Sequence, residues 1–105
     1  MMVNYTPMLC LAAALLAGCA MPPEGTEPAD LAAWDQAVAS VGCSLETESD
    51  YLPVELQTGQ TRALVQEIAA YKVASEEAVR LDSGGVRLIT GACAPVPSSP
   101  APAAG

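Results

Sequence analysis

The sequence predicts an α+β domain, three helices followed by a C-terminal β-hairpin, set between an N-terminal signal segment and a disordered tail. Three observations predict it. Apolar residues recur at helical spacing in three segments between Asp30 and Ser75. The stretch AVRLDSGGVRLI alternates apolar and polar residues on either side of a glycine-rich turn. Mixed patterning stops at both ends, at an Ala/Leu run before Cys19 and a Pro/Ala/Ser run after Cys93. Of the 105 residues, the patterned part, 30–93, is about 64 residues long, a size at which an apolar core alone gives marginal stability and a staple is expected.

DLAAWDQAVASVG places Leu31, Trp34, Val38 and Val41 on one helical face, with Asp30 as N-cap and Gly42 as stop. Cys43-Ser44-Leu45 is a short extended piece, followed by an acidic turn from Glu46 to Asp50. Ser49 or Asp50 caps a second helix carrying Leu52, Val54 and Leu56, with Pro53 in its first turn and Thr58-Gly59 at its end. Thr61 caps a third helix, TRALVQEIAAYKVAS, whose Leu64, Val65, Ile68 and Tyr71 line one face and whose Lys72 falls on a solvated flank. In the hairpin, a two-residue turn at Ser83-Gly84 sets Leu81 opposite Val86 and Val79 opposite Leu88, all four facing the core. The same register puts Arg80 directly opposite Arg87 on the outward face.

The first 20 residues are a different kind of text. MLCLAAALLAGCA, from Met8 to Ala20, is an apolar run too short to span a bilayer, which needs roughly 20 residues, and Pro22 and Pro23 stop any helix soon after it. Leu16-Ala17-Gly18-Cys19 resembles the lipobox of bacterial lipoproteins at every position. That resemblance implies a signal peptide 1–18, cleavage before Cys19, and a thioether-linked diacylglycerol on the Cys19 thiol. It implies a lipidated tether over 19–29, and the absence of Asp at position 20 favours the outer over the inner membrane. One departure is that MMVNYTPM carries no Lys or Arg. At the other end, 94–105 is a low-complexity tail with too little patterning to pack.

The order helix, short strand, helix, helix, hairpin is similar to the winged-helix arrangement, and two of the helices joined by a glycine-containing turn resemble a helix-turn-helix. That resemblance implies pairing of the early strand with the last strand of the wing, which brings Cys43 near enough to Cys93 for a disulfide that staples the domain. Cysteine parity points the same way. Cys10 leaves with the signal, and of Cys19, Cys43 and Cys93 an acylated Cys19 leaves an even pair. A zinc site is the alternative for these thiols, but the chain has no His and no CxxC.

Twelve acids against four bases, a net charge of -8, disfavour nucleic acid and anionic lipid surfaces as partners. Without His the common general base is missing. No SxxK, phosphate-cradling or EF-hand spacing occurs, and Glu76-Glu77 read as an ordinary helix end. Neither catalytic residues, nor a cofactor, nor a metal is expected. The one odd surface feature is Arg80 with Arg87. Either Glu76, Glu77 or Asp82 neutralises them, or they touch the anionic groups of a partner. The expectation is a lipid-anchored accessory or interaction protein facing the periplasm, bound to the membrane through its anchor and to an unknown envelope protein. The alternative is a small inhibitor or regulator of a basic partner.

Overall fold

The computed structural model describes residues 20–96, so Leu16, Ala17, Gly18 and Cys19, with the tail beyond Val96, lie outside the described residues. Three helices pack against a small antiparallel sheet: α1 (Pro28–Ser40), β1 (Ser44–Leu45), α2 (Glu48–Thr58), α3 (Arg62–Ala74), β2 (Ala78–Arg80) and β3 (Val86–Leu88), closed by a 3-10 turn, Gly91–Cys93. The strand order is β1-β3-β2, both pairs antiparallel. The hairpin's second strand is therefore central, and the early strand sits on its far side. No helix among the described residues is long and apolar enough to cross a membrane.

α1 starts at Pro28, three residues earlier than a cap at Asp30 implies. Pro28 fits the first turn, where an N–H has no helical partner, and Glu27 is the cap, its N–H donating to the Asp30 carboxylate at 2.9 Å. The end matches expectation: the Gly42 N–H reaches Ala39 and the Cys43 N–H reaches Val38, with φ positive at both residues. α2 is capped by Thr47 rather than by Ser49 or Asp50, because the Asp50 side chain turns back to accept from the Glu46 and Thr47 N–H groups at 2.9 and 3.1 Å. Starting at Glu48, α2 places Pro53 beyond its first turn, so the Ser49 carbonyl lacks the N–H an ordinary residue would supply. Thr61 caps α3 as expected, accepting from the Leu64 N–H.

Trp34, Val38, Leu45, Val54, Val65, Ile68 and Leu88 form the fully buried centre, joined by Ala37, Ala69, Val86 and Cys93. The Trp34 indole N–H donates to the Val65 carbonyl at 3.1 Å, which satisfies it inside the core and pins α1 on α3. Of Leu52, Val54 and Leu56 in α2 only Val54 is buried, while Leu52 and Leu56 face outward.

The hairpin register differs from expectation by one residue. The Leu81 N–H bonds the Gly85 carbonyl, the Gly84 N–H bonds the Leu81 carbonyl, and Gly84 has φ 95°, so the loop is Asp82-Ser83-Gly84, three residues long. Pairing becomes Ala78 with Leu88, Val79 with Arg87 and Arg80 with Val86. A one-residue slip exchanges faces: Ala78 is buried, Val79 is exposed, and Arg80 and Arg87 are not opposite each other. Gly85 is dictated by proximity, since a Cβ there would stand 2.2 Å from the Leu45 carbonyl oxygen.

Candidate functional site

Cys43 and Cys93 are joined in a disulfide across a separation of 50 residues. Cys43 precedes β1 and Cys93 ends the 3-10 turn, so the bond ties the exit of the sheet back to the end of α1. Beside it is a groove of about 290 Å³ that includes Arg87 and the segment Ala94 to Val96. Arg87 donates to the Ser44 hydroxyl at 3.1 Å across the outward face of the sheet. Among the described residues neither Arg80 nor Arg87 has a carboxylate within ion-pair distance. Glu76, Glu77 and Asp82 do not neutralise them, and the register places the two arginines on opposite faces of the hairpin.

The other two cations are saturated. Arg62, at the start of α3, donates to Glu48 at 2.8 and 3.0 Å and to Glu55, and lies over the Tyr51 ring. This braces the α2–α3 corner. Its hydrogen bonds to Glu48 and Glu55 hold the guanidinium well above its ordinary pKa, and the bond to Arg62 keeps the Glu48 carboxyl below its own.

Lys72 departs most from expectation. It is not a solvated flank residue but buried, 3% exposed, at the heart of the α1–α3 contact. Its ammonium lies 3.0 Å from Asp35 Oδ1 and 3.0 Å from Glu77 Oε1, and 5.9 Å from the Trp34 ring centroid. Burial disfavours the charged ammonium, but the hydrogen bonds it donates to Asp35 and Glu77 outweigh it and raise the pKa above that of a free lysine. Burial likewise pushes Glu77 upward, and its bonds to Lys72 and the Ser75 hydroxyl prevail and lower it. Lys72 is therefore a fixed cation at neutral pH, the opposite of the deprotonated amine a lysine nucleophile requires. Its position was readable: Val65, Ile68, Ala69 and Lys72 follow the spacing of a single buried face.

A second groove, of about 270 Å³, opens beside this cluster between α1 and the strand-to-turn segment after β3, with Asp35, Ala39, Leu88, Thr90 and Ala92 in its walls. It is largely apolar, and Asp35 is its only ionised side chain. Among the described residues no group of three or more His, Cys, Asp or Glu side chains is arranged to hold a metal ion.

No protein-family model, curated protein or solved structure matches this chain. What it does must be argued from these residues.

Proposed function

We propose that this chain is a lipid-anchored accessory protein of the bacterial cell envelope, without catalytic activity, that holds a small disulfide-stapled interaction domain close to the periplasmic face of the outer membrane. The observation that carries the reading is the division of the cysteines. Cys43 and Cys93 use each other, and of Cys10 and Cys19, the two thiols this leaves, only Cys19 follows the lipobox-like Leu16-Ala17-Gly18 and outlasts signal removal. From Ala20 to Glu27 lie eight residues before α1, which bridge at most about 28 Å when extended. The domain is thus held near the bilayer.

The charge distribution supports an interaction role over a catalytic one. The only lysine is locked between two carboxylates, and Arg62 is spent on Glu48 and Glu55. We read the element order as winged-helix-like. Its third helix, the one that would enter a groove of nucleic acid, offers no unengaged cation to phosphates. Arg87, with only Ser44 as partner, is retained as a contact to a partner's acidic group, and Arg80 on the other face serves separately. A second reading is a small inhibitor or regulator of a basic protein. It is favoured by the net charge of -8 on a surface whose acids outnumber their internal partners.

Intact mass of the chain purified from membranes tests the proposal. The expected species starts at Cys19, carries the diacylglycerol adduct and further acyl mass, and lacks the two hydrogens of the Cys43–Cys93 pair. Cys19→Ser should keep residues 1–18 and lack the diacylglycerol mass. A full-length, unacylated chain in the membrane-purified material would overturn the anchoring.

A further inference from the structure

We propose that the groove between α1 and the segment after β3 receives a lysine side chain from a partner protein, with Asp35 as its counter-ion. The inference deepens the reading of the domain as a regulator of a basic partner and rests on it.

The cluster around Lys72 is not neutral: two carboxylates, Asp35 and Glu77, share one ammonium, leaving a net charge of -1. Its location follows from the hydrogen bonds. Both Glu77 oxygens are engaged, Oε1 by Lys72 at 3.0 Å and Oε2 by the Ser75 hydroxyl at 2.9 Å. Asp35 accepts a directed bond only at Oδ2, from Lys72 at 3.2 Å. Its Oδ1 is shut off from solvent and has no aligned donor, although the Lys72 ammonium is 3.0 Å away. A carboxylate oxygen offers about two acceptor positions, so Asp35 Oδ2, which takes one bond from Lys72, keeps one open. This side chain is 37% exposed and forms part of the groove wall.

The remaining walls select what can approach. Ala39 and Ala92, over the buried Leu88, present apolar surface suited to the methylene stem of a long cationic side chain, whose stem packs on apolar atoms while its head keeps polar contact. At about 270 Å³, the groove falls below the roughly 300–1,000 Å³ that holds drug-sized ligands and suits one side chain. Because Oδ1 is enclosed, Asp35 presents one oxygen rather than two. That matches the point charge of an ammonium better than the two-pronged guanidinium fork. The net charge of -8 attracts a basic surface and orients it before contact.

Titration of the isotopically labelled full chain with N-acetyl-lysine methylamide, followed by amide chemical shifts, tests the proposal. Saturable shifts are expected at Asp35, Ala39, Thr90 and Ala92, at least tenfold weaker affinity for the norleucine and arginine analogues, and a loss of at least tenfold in Asp35→Asn. Lys72 keeps Glu77 in that variant. Ala92→Leu, at an exposed position, fills the groove without altering charge and should abolish the shifts while leaving the unfolding temperature unchanged. Equal binding of norleucine, an undiminished response of Asp35→Asn, stronger binding of spermidine than of the lysine probe, or shifts confined to the acids outside the groove would overturn the proposal. The groove responds whether or not Cys19 carries lipid, so failure here leaves the anchoring reading intact.

Discussion

Replacing Lys72 by methionine removes the ammonium and keeps an unbranched apolar stem, so it isolates the charge. Asp35 and Glu77 lose the cation they share. Stripping one partner from a fully buried pair costs about 3–5 kcal/mol. Here the two carboxylates are 37% and 33% exposed, so water recovers part of their solvation and the cost falls to about 2 kcal/mol. The Trp34 contact, at 5.9 Å near the outer limit for a cation over a ring, adds no more than about 0.5 kcal/mol. In a domain this small each kcal/mol moves the midpoint by roughly 4–8 °C, so a fall of about 8–16 °C is expected. Equilibrium unfolding in urea, read by the fluorescence of Trp34, the chain's single tryptophan, measures it beside the site. Adding Asp35→Asn and Glu77→Gln to Lys72→Met should restore more than half of the loss, because the neutral amides need no counter-ion. A Lys72→Met variant within about 0.5 kcal/mol of the parent, the range of an ordinary surface substitution, would refute the account of Lys72 as a buried ion-pair centre.

Reduction of the disulfide, or Cys93→Ser, should cost about 4 kcal/mol by loop-closure entropy for a 50-residue separation, measured as the difference in urea midpoint with and without reductant. Gly85→Ala forces the β1–β3 edge apart to relieve the contact with the Leu45 carbonyl and should lose about 2 kcal/mol, with the amide chemical shifts of Ser44 and Leu45 displaced. Glu76 holds φ 66° at the end of α3, where its N–H bonds Val73 and the Glu77 N–H bonds Lys72. Glu76→Gly removes left-handed strain there and should stabilise by about 0.5–1 kcal/mol, seen as a higher melting temperature. Glu77 and Asp50 both ionise more readily than free carboxyls, Asp50 chiefly through the Glu46 N–H. Their contributions are present above the ordinary carboxylate pKa and are lost as the pH falls through their lowered values. Lys72, raised, contributes below the ordinary lysine pKa and loses its contribution as the pH climbs past its raised value. Stability should therefore be level across neutral pH and fall at both extremes, and Lys72→Met should flatten the alkaline limb.

Element order was legible because each helix carries its own apolar period and stop: Gly42 and Gly59 end α1 and α2, and Thr61 opens α3. What was not legible depends on choices that local patterning leaves balanced. Asp82-Ser83-Gly84-Gly85 can make a two-residue or a three-residue turn, and the winner is decided by the approach of Gly85 to Leu45, a contact between residues 40 positions apart. That choice buried the small Ala78 in place of Val79. Lys72 departs from the solvent position its charge suggests because it shares a face with Val65, Ile68 and Ala69; Asp35 and Glu77 make burial tolerable, and both come from outside α3. The first two caps lie two or three residues before the expected ones because Asp30 and Asp50 act from the third helical position, not from the cap itself. The cysteine pairing was readable from parity and topology together.

The Cys43–Cys93 bond also fixes how the chain bears tension. If the N-terminal side is held at a bilayer and something grips the segment beyond Cys93, the pull passes from α1 to Cys43 and across the sulfur bridge, and the sheet and the other two helices hang outside the load path. Stretching the oxidised protein releases only the slack outside the bridge. Reduction adds the intervening 50 residues, about 170 Å of contour length at full extension. The bridge thereby makes the domain a short, stiff strap whose length is set by its redox state.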